Sequence, residues 1–116
     1  MFTQRNFWAH IPLSLQEVSA RLADCFGLLD LEFGADGPEE WFEGFAGEGV
    51  SFYIYRHGGT TAPLRFIVTP YVTDPMVFGC RLAACFGQSI SYGVVTYHGE
   101  DLYGFSEISR YDNVVA

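Results

Sequence analysis

The heptapeptide Arg21-Leu22-Ala23-Asp24-Cys25-Phe26-Gly27 returns sixty residues later as Arg81-Leu82-Ala83-Ala84-Cys85-Phe86-Gly87, with six of the seven positions identical. The same offset, without a gap, sets Glu40-Trp41-Phe42-Glu43-Gly44-Phe45 against Glu100-Asp101-Leu102-Tyr103-Gly104-Phe105, and Arg5 against Arg65. A register kept across both motifs implies two diverged copies of one unit, about 1–59 and 60–116, inside a single domain of 116 residues. What the fold needs should then appear in both copies, and what only one copy carries is available for function.

Helix signals obey the offset. Ser14 is an N-cap and Glu17 completes a capping box; Asp74 stands in the equivalent place, followed by Pro75 at the first helical position. Gly27 and Gly87 supply the left-handed residue that ends each helix. The spacing predicts helices over 15–26 and 75–86, with apolar stripes Leu15, Val18, Leu22, Cys25, Phe26 and Phe78, Leu82, Cys85, Phe86 facing a core. Alternation and β-rich composition predict strands over 6–11, 28–33, 41–45, 50–56, 65–72, 89–97 and 102–106, with a last one at 111–115. Each unit reads β-α-β-β-β. The expected fold is α+β: an antiparallel-rich sheet with both helices on one face, related by a pseudo-twofold axis.

The doubled order strand-helix-strand-strand resembles tandem strand-helix-strand-strand modules of the GyrI-like kind. No site is carried over from that family. An alternative function is a small-molecule-binding module of this type, in which two related units form a cleft between them lined by aromatics such as Trp8, Tyr53, Tyr55, Tyr71 and Tyr92.

Hydrophobic residues make up 49% of the chain and aromatics 17%, enough for a core and too many for a disordered chain. No apolar run approaches the ~20 residues that span a bilayer, and the first twelve residues lack the apolar stretch of a signal peptide. With three cysteines and no C-x-x-C, the expectation is a cytoplasmic protein without disulfides. His10, His57 and His98 have no zinc-site spacing, and His57 and His98 precede glycine turns, so neither a metal nor another cofactor is expected. Cys25 and Cys85 read as small core residues near helix ends, where the negative end of the helix dipole disfavours a thiolate. No catalytic constellation emerges, and the chain is read as a non-enzyme.

Net charge is −8, with six arginines and no lysine. All of it arises between Arg21 and Arg56, where eight acids meet no base; the other six acids balance the six arginines. A chain of this sign does not suit phosphate backbones, which excludes direct nucleic-acid binding. The acids concentrate at Asp30, Glu32, Asp36, Glu39, Glu40, Glu43 and Glu48, among the aromatics Phe33, Trp41, Phe42 and Phe45. The equivalent positions 90–108 hold only Glu100, Asp101 and Glu107. The first copy has gained acids that the second does without. Asp30, Glu32, Asp36, Glu39, Glu40, Trp41, Phe42, Glu43 and Glu48 are therefore the candidate partner-binding residues, with Trp41 or Phe42 as the central anchor. A small, acidic, aromatic-rich chain of this kind resembles bacterial immunity proteins in size and charge. The resemblance implies an inhibitor that covers the basic active site of a toxin or effector domain.

Overall fold

The computed structural model describes residues 2–47, 49–69, 74–97 and 103–112. Its elements run β1 (Phe2–Ala9), α1 (Leu15–Phe26), β2 (Leu29–Asp36), β3 (Glu39–Ala46), β4 (Val50–His57), β5 (Leu64–Thr69), α2 (Pro75–Phe86), β6 (Ile90–Tyr97) and β7 (Tyr103–Tyr111). The fold is α+β: two helices and one seven-stranded sheet of order β2-β3-β4-β5-β1-β6-β7, with every neighbouring pair antiparallel.

Both helices form where the local signals place them. The Ser14 hydroxyl accepts from Glu17 N at 3.2 Å, and the Glu17 carboxylate accepts from Ser14 N at 3.4 Å, closing the capping box. The Asp74 carboxylate accepts from Val77 N at 3.3 Å ahead of α2. Gly27 and Gly87 take φ of 68° and 66° and terminate the helices, a conformation that costs glycine least.

Strand arithmetic puts both helices in crossovers. β5 and β6 flank β1 antiparallel to it, so α2 joins two parallel strands across β1; α1 likewise carries the chain from β1 to β2 at the far edge. Both helices pack on one face and touch each other. Phe7, Val18, Leu22, Phe42, Phe52, Ile54, Leu64, Phe66, Leu82 and Ile90 fill the space between helices and sheet, each at 2% exposure or less.

The sheet does not repeat the sixty-residue offset. A twofold through the β1–β5 seam would exchange β4 with β6 and β3 with β7, whereas the offset pairs β2 with β6. The strand after α1 lies at the sheet edge, and the strand after α2 lies against β1. The expected strands at 102–106 and 111–115 are also different: β7 continues from Tyr103 to Tyr111 through a bulge at Ile108, opposite Tyr92 and Gly93, and 113–116 lie outside the described residues. The apolar stripe is narrower than expected at its end, since Cys25 is exposed and Cys85 half-buried.

Among the described residues two arginines are buried, Arg65 at 7% exposure and Arg56 more deeply. Arg56 on β4 alternates with Phe52 and Ile54 and is 1% exposed. Its Nε and Nη2 donate to Glu40 Oε1 at 2.9 and 2.7 Å, and Nη1 donates to the carbonyls of Ile11 and Leu13 at 3.3 and 2.8 Å. The guanidinium thereby satisfies the β1–α1 connection from beneath. Removing one partner of a fully buried pair strands the other charge, at about 3–5 kcal/mol; with Glu40 35% exposed, solvent screening brings the cost to the bottom of that range or just below it. Glu40→Ala is expected to lower the unfolding free energy by about 2–3 kcal/mol in urea titrations. A loss below about 0.5 kcal/mol, the size of an ordinary surface substitution, would contradict this role for the pair.

Candidate functional site

The face of the sheet away from the helices collects most of the candidate acids. Side chains alternate along a strand, and the β2–β3 register matches Glu32 with Glu43, Gly34 with Trp41 and Asp36 with Glu39. Buried Phe42 points to the helices, so its neighbours in alternation, Trp41 and Glu43, point away. Leu29 and Phe45 form a further rung at the opposite end of the hairpin, beyond a bulge in which Asp30 adopts φ 56°. Rungs of acid and apolar character thus alternate along this hairpin. Successive rungs are two residues apart, roughly 7 Å along the strand.

The next strand continues the stripes. Ser51, Tyr53, Tyr55 and His57 of β4 register with Phe45, Glu43, Trp41 and Glu39. Tyr55 Oη donates to Glu39 Oε1 at 2.9 Å, and His57 Nδ1 lies 3.6 Å from the same oxygen. Arg65 of β5 stacks over Tyr55 at 4.4 Å from the ring centroid. Trp41 lies flat on Gly34, where a Cβ would collide with the indole, so glycine there lets the ring settle onto the strand.

Among the described residues, Glu32, Asp36 and Glu43 are exposed and take part in no salt bridge. Like charges directly opposite on neighbouring strands are destabilising, on the order of 0.2–1 kcal/mol per pair. The Glu32–Glu43 rung is such a pair, and Asp36–Glu39 closes the turn with another. Leu29, Phe33 and Phe45 are also exposed, at 66, 47 and 48%.

Two candidates leave this surface. Phe42 is fully buried in the core and cannot anchor a partner, because its alternation parity points it at the helices. Glu40 shares that parity and is committed to Arg56. Glu48 lies outside the described residues, as does His98. The aromatic contribution to the surface comes from Trp41, Phe45, Tyr53 and Tyr55. The two tyrosines belong to β4, which carries no acids and so fell outside the charge-defined segment.

A second feature opens on the same side of the sheet, beyond β5. An open cleft of about 670 Å³ is lined by Trp8, His10, Ser91, Phe105, Glu107 and Arg110, among others. Trp8 and Phe105 meet edge-on at 4.2 Å. The Glu107 carboxylate accepts from Ser91 Oγ at 2.6 Å and from Arg110 Nε at 3.1 Å, and these bonds, Ser91 first, hold its carboxyl below the usual range. Of the aromatics expected to line a cleft, Trp8 does so. Tyr53 and Tyr55 lie on the other side of β5, Tyr92 packs in the core against Phe7, and Tyr71 is outside the described residues. Among the described residues no cluster of three or more His, Cys, Asp or Glu is placed to hold a metal ion, and no helix is long and apolar enough to cross a membrane.

Burial, and then the Glu43 carboxylate opposite, raise the Tyr53 phenol above its ordinary value of 10.0. The folded protein therefore keeps this proton at a pH where the unfolded chain has lost it. Stability from this group is intact below pH 10.0 and declines as the pH climbs through the folded-state value. Glu43→Gln should shift the Tyr53 phenolate absorbance, isolated by difference against Tyr53→Phe, to lower pH. An unshifted titration would show that the two side chains do not share this rung. No protein-family model, curated protein or solved structure matches this chain.

Proposed function

We propose that this protein binds a basic protein partner through the striped outer face of the β2–β3 hairpin and β4. The observation that carries the proposal is the Glu32–Glu43 rung, a like-charge pair directly opposed on neighbouring strands and in no salt bridge among the described residues. A surface that is repulsive by itself becomes favourable when a cationic group docks on it, and a one-sign field accelerates that encounter. Trp41 and Phe45 interleave with the acids and supply the desolvated contact that charge alone does not. Acid rungs four residues apart, roughly 14 Å along the strand, match basic side chains four residues apart on an extended segment, with the Gly34–Trp41 rung between them.

The activity this surface would serve is inhibition of a toxin or effector domain by an immunity protein, the anionic face standing where that domain's substrate carries its negative charge. The shared helix motif supports descent of the two halves from one unit, and on that reading the acids were acquired by the first half alone. A non-enzymatic role in the cytoplasm accompanies this reading. The cleft at Trp8 and Phe105 supports a second reading, a small-molecule module of the tandem strand-helix-strand-strand type, with Arg110 and Glu107 as its polar contacts.

The test is kinetic. A partner is isolated on the wild-type chain, and its association is followed by stopped flow across a salt series. Charge reversal at Glu32, Glu39 and Glu43, leaving Glu40 intact, should slow association about tenfold or more at low salt and flatten its salt dependence. Expression of the wild-type chain, but not of the reversed one, should relieve toxicity of that partner in cells. Unchanged association would remove this face from the interface.

A further inference from the structure

The repeated R-L-A-x-C-F-G motif plays no part in the docking face, yet its two copies meet in space. Arg81 Nη2 donates to the Cys25 carbonyl at 3.0 Å, and its guanidinium lies 4.4 Å from the centroid of Phe26. In the reverse direction, the Cys85 thiol donates to the Arg21 carbonyl at 3.4 Å. The last turns of α1 and α2 are thus laid against each other, motif on motif. In α1 the Arg21 carbonyl is also the acceptor for the Cys25 amide four residues on, so the Cys85 sulfur that reaches this carbonyl lies beside Cys25. Cys25 is exposed and Cys85 half-buried, so a reagent reaches the first and the second waits behind it.

We propose that Cys25 and Cys85 are a redox pair that closes to a reversible intramolecular disulfide in the presence of a low-molecular-weight disulfide, clasping α1 to α2. The Cys25 thiolate attacks one sulfur of glutathione disulfide; a Cys25–glutathione bond forms, the S–S bond of the reagent breaks, and one glutathione thiol leaves. The Cys85 thiolate then attacks Cys25 Sγ and expels the second glutathione. Both protein thiols are oxidised, their two protons pass to the two glutathione thiolates, and glutathione disulfide is the species reduced.

Burial first, and then the neighbouring Cys25, push the Cys85 thiol up to about 12. Capping Cys25 removes its own contribution while burial, the larger cause, remains, so the attack by Cys85 is the slow step. The cross-link would close a loop of about sixty residues, which restricts the unfolded chain strongly. Cys80 is exposed on α2 and lies five residues from Cys85, off its helical face.

The experiment equilibrates the folded protein with glutathione disulfide, alkylates the remaining thiols and maps peptides without reduction. The expected result is a Cys25–Cys85 cross-linked peptide with Cys80 alkylated, and a Tm raised by roughly 5 °C or more that a thiol reductant reverses. Cys25→Ser, a change at an exposed position, and Cys85→Ser should each abolish the linkage and the Tm shift, while Cys80→Ser keeps both. Glutathione adducts without the cross-link, a linkage through Cys80, or a cross-linked protein whose Tm does not rise would each overturn the proposal.

Discussion

The Arg56 guanidinium is the interaction around which the rest is arranged. A cation at 1% exposure persists only when its donors are satisfied. Here four hydrogen bonds do so, two to Glu40 and two to the backbone carbonyls of Ile11 and Leu13. The backbone bonds fix the connection that leads to the Ser14 cap, and so set where α1 lies over the sheet. The bonds to Glu40 lock the β3–β4 register at the rung where Glu40 faces Arg56. With that rung turned inward, Glu39, Trp41 and Glu43 must turn outward. One buried ion pair therefore sorts the acidic segment into a structural carboxylate and a set left for solvent.

That sorted set has an electrostatic cost. Glu39 shares its charge with the Tyr55 hydroxyl and stands near His57. Glu32 and Glu43 face each other across the β2–β3 ladder without such help among the described residues. Each like-charge rung costs less than breaking the Arg56–Glu40 pair would, so the register set by that pair outweighs the repulsion on the surface. The outer stripe of Leu29, Trp41 and Phe45 sits among these acids, which keep an exposed apolar edge from pairing with other chains.

The helices were legible to the residue, because the Ser14–Glu17 capping box, Pro75 and the left-handed glycines act within one turn. The strands were legible as segments but not as a sheet. β2 sits at the edge and β6 beside β1 through pairings distant in sequence, which a sixty-residue offset does not encode. The site was legible as a segment and not as a face. Glu39-Glu40-Trp41-Phe42-Glu43 places an acid and an aromatic on both sides of the strand, so alternation alone leaves its parity open. The missed signal lay in β4: Arg56 follows Phe52 and Ile54 at a spacing of two, which marks a charge turned into the core and in need of a carboxylate. Recognising it would have assigned Glu40 to the fold and removed Phe42 from the surface.

The central claim is that the outer carboxylates of the hairpin repel one another instead of being neutralised within the molecule. Its most direct test is the unfolding free energy of the wild-type protein, from urea titrations at sodium chloride concentrations from about 0.01 to about 0.3 M. Screening should relieve the repulsion and raise stability, by a few tenths to about 1 kcal/mol. Stability that stays level or falls as salt is added would mean that the chain's own cations already balance this face, and would contradict the account.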